Sequence, residues 1–262
     1  METELEQKRG LHTVRDDILR VEEFDKMLHQ LSGQEELCLD YHYKTTNGEE
    51  RVQRVHIKCR MIECLLCLEW LFGKRIYEVL CVRRGDIKVD NGYLYCRFTV
   101  QKKPQKTSAG VIGTNVTKRI NLTHPYAHYV TDYLNILDKK RKTDANTPLF
   151  PGRSTGKHIV QRHVELHRKL SDGRTETYFK DYEYDKTVTG IMAPETALKV
   201  IKVLNPNAWT HLFRSSLATT MAEHSATEEE LLNWFDWERV ETAHGYVKRG
   251  TKLTERLSDR NY

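Results

Sequence analysis

Between residues 52 and 71 the chain reads as a helix that is apolar on more than one side. Ile57, Met61, Cys64, Leu65 and Leu68 fall on one face at helical spacing, and Leu66 and Trp70 on another. A surface helix carries a single apolar stripe, so one with apolar residues over a wider arc has to be surrounded by protein. The segment is therefore expected at the centre of the core, with the other elements packed around it. A chain of 262 residues is long enough for one large domain or two small ones, either able to bury such a core. Its 39% hydrophobic and 9% aromatic content is that of a soluble globular protein. Without a long apolar run or a secretory signal, no membrane partner is expected.

The other elements follow from periodicity. Residues 1–13 are polar and expected to fray. Val14, Ile18, Val21, Phe24, Leu28 and Leu31 recur at three and four, predicting a helix from Val14 to about Leu31. Lys44 to Glu49 contains Asn47-Gly48 and reads as a loop or hairpin end. Gly73 closes the central helix, and Arg75-Ile-Tyr-Glu78-Val-Leu80 opens another. A β-rich zone follows: Ile87 to Val89, a turn at Asp90-Asn91-Gly92, Tyr93 to Val100, a polar connector from Gln101 to Thr117, and Arg119 to Leu122. This predicts a small antiparallel sheet with a basic tip. Helices are then expected at Tyr126–Leu137, His158–Leu170, Pro194–Val203, Ser215–His224 and Glu228–Phe235, with Ser171 to Gly190 an aperiodic insertion or mobile loop. The fold class is α+β, mostly α: a helical core with one small antiparallel sheet.

Six cysteines at 38, 59, 64, 67, 81 and 96 read as reduced thiols in an intracellular protein. Cys64-Leu-Leu-Cys67 has CxxC spacing, but no second CxxC follows and zinc needs four converging ligands. The pair reads as part of the buried helix, and neither metal nor cofactor is expected. Lys and Arg total 42 against 37 Asp and Glu, a net charge of +5. So small an excess makes placement matter more than size.

Chemistry concentrates in the last fifth of the chain, where His211-Leu-Phe-Arg214, Trp237 and Tyr246 occur in one run. Arginine offers a fixed fork of donors matched to two phosphoryl oxygens, and an imidazole and an indole N–H can each add one more. A phenol is a weak nucleophile at its free pKa of about 10. Beside such donors it can attack a phosphodiester, because they stabilise the negative charge that builds on the non-bridging oxygens. The product is a tyrosine joined covalently to DNA. Blander readings stand beside this one. Thr210 is a plausible N-cap for a helix starting near His211. Trp234, Phe235 and Trp237 could all be packing residues, and Tyr246 is one of 13 tyrosines.

Gly73-Lys-Arg75-Ile-Tyr-Glu78-Val-Leu80, Thr210-His211-Leu-Phe-Arg214-Ser-Ser-Leu-Ala-Thr219 and Leu231-Leu232-Asn-Trp-Phe-Asp-Trp237, followed by Tyr246, resemble in order the boxes of the tyrosine recombinase (phage integrase) catalytic domain. The resemblance covers roughly residues 14 to 250. Trp237 stands where the family has His or Trp, and Tyr246 follows at the family's interval of nine residues (246 − 237). Arg75 and Arg214 are 214 − 75 = 139 residues apart, longer than usual, and the excess is assigned to 171–190.

The resemblance implies roles. Tyr246 would be the nucleophile, Arg75 and Arg214 the phosphate clamp, His211 and Trp237 assisting donors, and Glu78 a carboxylate that fixes its neighbours. A lysine of the connector would protonate the leaving 5′-oxygen, Lys103 first, with Lys102 and Lys106 as further candidates. It also implies double-stranded DNA as partner, self-assembly as dimer or tetramer on DNA, no small-molecule substrate, and a DNA-associated, intracellular setting in a virus or mobile element. The activity implied is strand cleavage and rejoining through a 3′-phosphotyrosyl intermediate. A type IB topoisomerase-like enzyme, a hairpin-forming resolvase and a catalytically silent DNA-binding module share the same fold. Family members commonly carry a helical clamp domain ahead of the catalytic one. Here the first helix, expected near Val14, leaves too few residues for such a domain, so the chain is expected to be either a catalytic-domain fragment or a compact form, with 251–262 a basic tail.

Overall fold

The computed structural model describes residues 18–44, 47–107, 110–140, 144–152, 161–169, 175–183, 190–209, 211–237 and 239–248; at 43–44, 101–107, 110–114, 161–169 and 175–183 it describes the backbone alone. Helix α1 (Val21–Leu31) is amphipathic and buries Phe24, Met27, Leu28 and Leu31. The helix expected from Val14 begins at Val21 among the described residues. Arg20 is extended (φ −90°, ψ 162°) and its N–H donates to the Glu23 carboxylate at 2.9 Å, a cap that fixes the helix start. Its guanidinium also reaches Glu223 at 2.6 and 3.1 Å.

Strands β1 (Glu36–Lys44) and β2 (Glu50–Lys58) form an antiparallel hairpin, Glu36 opposite Lys58 and Lys44 opposite Glu50. This corrects the helix expected from residue 52. Val55 and Ile57 point inward while Arg54, His56 and Lys58 point out, a period of two that outweighs the helical spacing of the residues beyond it.

Helix α2 (Cys59–Phe72) then runs through the centre of the molecule, with every residue but Arg60 buried. Cys64 and Cys67 lie inside it as free thiols, and burial raises both above the ordinary thiol range. Glu63 is held by Arg60 at 2.9 Å, and burial pushes the Glu69 carboxyl up to about 8. Burial thus favours the protonated form of Glu69 near neutral pH.

Gly73 caps α2 in the left-handed region at φ 56°. A Cβ there would lie 2.5 Å from Phe235 Cε1 and 3.0 Å from Leu217 Cδ2. Gly73→Ala is expected to lower stability by about 2–4 kcal/mol, from the left-handed backbone cost together with overpacking. Chemical denaturation monitored by circular dichroism measures this, and a loss below about 0.5 kcal/mol would contradict the close approach.

Helix α3 (Ile76–Leu80) follows, then a sheet of order β3-β4-β5 from Ile87–Asp90, Tyr93–Thr107 and Gly110–Asn121. The β3–β4 turn has Asn91 at φ 47° and Gly92 at φ 79°, both positive as a type I′ turn demands. The connector expected over Gln101–Thr117 is instead the outer part of a long hairpin. Its pairing shifts between Val100 and Pro104, where a residue without an N–H can sit in a strand.

Helix α4 (Ala127–Lys139) packs on α2. Strands β6 (Gln161–Lys169) and β7 (Thr175–Glu183) form a further antiparallel hairpin, correcting both the helix expected at His158–Leu170 and the aperiodic insertion expected at Ser171–Gly190. Val164 and Leu166 are spaced by two, and β7 is rich in threonine and aromatic residues that favour strands.

Helices α5 (Pro194–Leu204), α6 (Leu212–Glu223) and α7 (Glu228–Phe235) complete the helical set, followed by α8 at 240–248, which periodicity had not indicated. Helix α6 lies between two cores. Leu212 and Phe213 belong to the large core around α2, while Ala218 and Ala222 join Leu231, Phe235 and Ala243 in a small second one. No helix among the described residues is long and apolar enough to cross a membrane.

Candidate active site

Arg214 lies near the start of α6 and is buried, at 6% exposure. Its guanidinium donates to the carbonyl of Gly73 at 2.9 Å and to the carbonyl of Phe235. The break after α2 and the break after α7 are therefore joined through one side chain. Burial, and next the charge of Arg75, push the Arg214 guanidinium down to about 10. The charges of Glu78, Asp236 and Tyr246 oppose that shift.

The aromatic residues form a column. Phe235 and Trp237 stack at 4.8 Å and 21°, and Trp237 and Tyr246 at 5.2 Å and 13°. Arg214 Cζ sits 5.1 Å from the Phe235 ring centre and 5.5 Å from that of Trp237, within cation–π range. Tyr246, on α8, is half-buried, and its hydroxyl donates to Ser215 Oγ at 3.4 Å. The phenol thus stands one ring away from the buried guanidinium. Trp234 has a different place, with its indole nitrogen buried and the Lys118 ammonium 5.9 Å from its ring centre.

Arg75 is the N-cap of α3 and half-buried. Its N–H and guanidinium both bond the carboxylate of Glu78, at 3.1 and 2.8 Å. Helix capping and the holding of Arg75 are thus done by the same buried acid. His211 precedes α6 and is exposed, its ring edge-on to Trp209 at 6.4 Å. Thr210 lies outside the described residues. His244 is exposed and bonded to Glu228 at 2.7 Å. Lys102, Lys103 and Lys106 belong to the outer part of β4, and their side chains lie outside the described residues.

Arg214, Trp237 and Tyr246 therefore meet directly, with Arg75 close enough to act on Arg214. Sequence reasoning missed three charged residues beside them. Lys74 has a side chain with 0% exposure, ion-paired to Asp236. Lys118 on β5 bonds the carbonyl of Asn233 and lies 3.2 Å from the other Asp236 oxygen. A lysine between Gly73 and the first arginine, and an aspartate between two ring-stacked aromatics, were the available signals. Neither reveals burial by itself.

No protein-family model matches the chain, and no curated protein matches it. Solved structures do. The XerH site-specific recombinase bound to a palindromic difH substrate, in a post-cleavage complex, matches with a TM-score of 0.51 at 11% identity. That match covers 92% of this chain and 52% of the XerH chain. The fold is that of a tyrosine recombinase catalytic domain. The pre-cleavage XerH complex on difH gives a TM-score of 0.47 at 11% identity, covering 93% of this chain and 55% of that one. XerA recombinase gives 0.49 at 10% identity, covering 94% and 65%. The chain thus spans between half and two thirds of the length of these recombinases. In this recombinase fold, α2 is the central helix of the large core and the aromatic column belongs to the second, smaller one.

Proposed function

We propose that this chain is a site-specific DNA recombinase or integrase that cuts and rejoins strands through a 3′-phosphotyrosyl intermediate. The observation that carries the reading is the column in which buried Arg214 faces Trp237 and Trp237 faces Tyr246. In this reading Arg75 and Arg214 hold the scissile phosphate, and His211 and Trp237 add hydrogen bonds to it. The Tyr246 oxygen forms the new bond to phosphorus as the phenol proton passes to water. The 5′-oxygen departs with a proton from a lysine of the β4–β5 hairpin, Lys103 or its neighbours Lys102 and Lys106. Such general acid help is worth about 10²–10⁴ in rate. The bond energy stays in the phosphotyrosyl ester, so rejoining needs no nucleotide.

Residues 14–250 make up the catalytic unit in this reading, and the tail at 251–262 adds basic charge. Duplex DNA is the partner in this reading, supported by the fold shared with XerH bound to its difH substrate, and the setting is intracellular, on DNA, in a mobile element or virus. Assembly as a dimer or tetramer follows from the need to exchange strands between two duplexes.

The test uses nicked suicide duplexes tiled across the DNA that flanks the gene. The expected result is a detergent-stable protein–DNA adduct on at least one tile, with the peptide carrying Tyr246 bound to a 3′-phosphate. An adduct at a 5′-phosphate, or on another residue, would overturn the proposal. Joining of two duplexes, set against plain relaxation or hairpin closure, separates a recombinase from a topoisomerase or resolvase.

A further inference from the structure

The segments that carry the candidate site come from distant parts of the chain, and their junction is a carboxylate. Gly73, Lys74 and Arg75 are consecutive, and so are Phe235, Asp236 and Trp237. Arg214 ties Gly73 to Phe235 through their carbonyls, and Lys74 ties to Asp236. Asp236 stands in the left-handed region at φ 52°, at the C-cap of α7, where its side chain turns back toward the protein. Its second oxygen meets Lys118, whose inward position on β5 also reaches the carbonyl of Asn233.

We infer that Asp236 is a positioning residue whose carboxylate, bridging Lys74 and Lys118, locks the Arg75 turn, the Trp237 turn and the β4–β5 hairpin into one frame. The frame's catalytic consequence rests on the function proposed above. Its logic is electrostatic. Lys74 is wholly buried, and taking an ammonium out of water costs several kcal/mol unless a partner answers it. One carboxylate answering two lysines can be satisfied in a single arrangement of the three segments, so their relative placement is fixed. The hairpin that carries Lys102, Lys103 and Lys106 is held at its base by the same group that orients Trp237.

Asp236→Asn is the informative variant, because asparagine tolerates the left-handed region and keeps the shape while removing the charge. Asp40→Asn, which breaks an exposed pair with Arg54 on the first hairpin, serves as control. Three readouts on the intact chain are expected to move together. Amide exchange should speed at least tenfold at residues 73–80 and also at 235–248, with neither segment moving in the control. The melting temperature should fall, and the deficit should narrow as the pH rises toward 10.5, the ordinary lysine value.

The sign follows from Lys74, whose ammonium burial already lowers, with Lys118 lowering it further, Asp236 and Glu78 opposing, and Cys96 and the Phe98 ring alongside. Without Asp236 the folded chain releases that proton earlier than the unfolded one, so stability is regained with rising pH. Adduct yield on the suicide duplexes should drop at least thirtyfold. Adding Lys74→Met removes the stranded charge and should recover the melting temperature while adduct yield stays low.

Adducts within threefold of the parent, or adduct yield recovering together with the melting temperature, would reduce the bridge to a folding element and overturn the inference. So would faster exchange confined to one segment. If the parent forms no adduct on any tile, the recombinase reading falls, and the exchange result decides the frame by itself.

Discussion

Tyr246→Phe is expected to abolish covalent DNA adducts while leaving the fold within about 1 kcal/mol of the parent. The argument is geometric. The ring keeps its stack on Trp237 at 5.2 Å, so the packing of α8 against the second core is unchanged. The lost hydroxyl made one long hydrogen bond, to Ser215 at 3.4 Å. What disappears is the oxygen that forms the ester in the proposed reading. The measurement pairs a gel-shift assay under denaturing conditions with a thermal melt. An adduct that persists in the phenylalanine variant would hand the nucleophile's role to another of the 13 tyrosines.

Arg214→Lys should be the most damaging charge-conserving change in the molecule. It is expected to cost about 2–4 kcal/mol of stability, because one ammonium on a flexible stem cannot reproduce a fork aimed at two buried carbonyls, and a buried acceptor left without a donor costs about 1–3 kcal/mol. Adduct formation should fall by about 10²–10³ or more, the loss typical of removing one preorganised donor from a developing oxyanion. Arg75→Lys provides the contrast. Arg75 is only half-buried and its main partner is Glu78, so a similar loss of rate should come with a stability change of about 1 kcal/mol or less. Urea denaturation separates the two effects. If Arg214→Lys melts like the parent and still forms adducts, Arg214 is neither the joint nor the clamp described here.

The central helix was legible because apolar residues cover more than one of its faces despite Glu63 and Glu69, and α7 has the bounds read for it, Glu228–Phe235. Two hairpins were not. The stretch 52–58 lies directly against a strongly helical segment, so a window spanning both sees the larger signal. The strands at 161–169 and 175–183 carry charged and histidine residues that dilute the alternation. At the site, Arg75, Arg214, Trp237 and Tyr246 stood out through type and order. Lys74, Asp236 and Lys118 did not, because pairing across 162 residues leaves no local trace. A buried ion pair is a property of the folded state, and neither partner's neighbours in sequence announce it.

The second core buries Ala218, Ala222, Leu231, Phe235 and Ala243, with larger side chains such as Met221, Trp237 and Tyr246 packed against it while still partly exposed. Ala243 alone is fully buried among residues 240–248, whereas every residue of α2 but Arg60 is, so α8 removes less apolar surface from water and local opening there is expected to cost less than in α2. In the proposed reading, the attacking tyrosine is thus carried by a lightly buried helix, while the arginine that faces its stack is fixed in a buried frame.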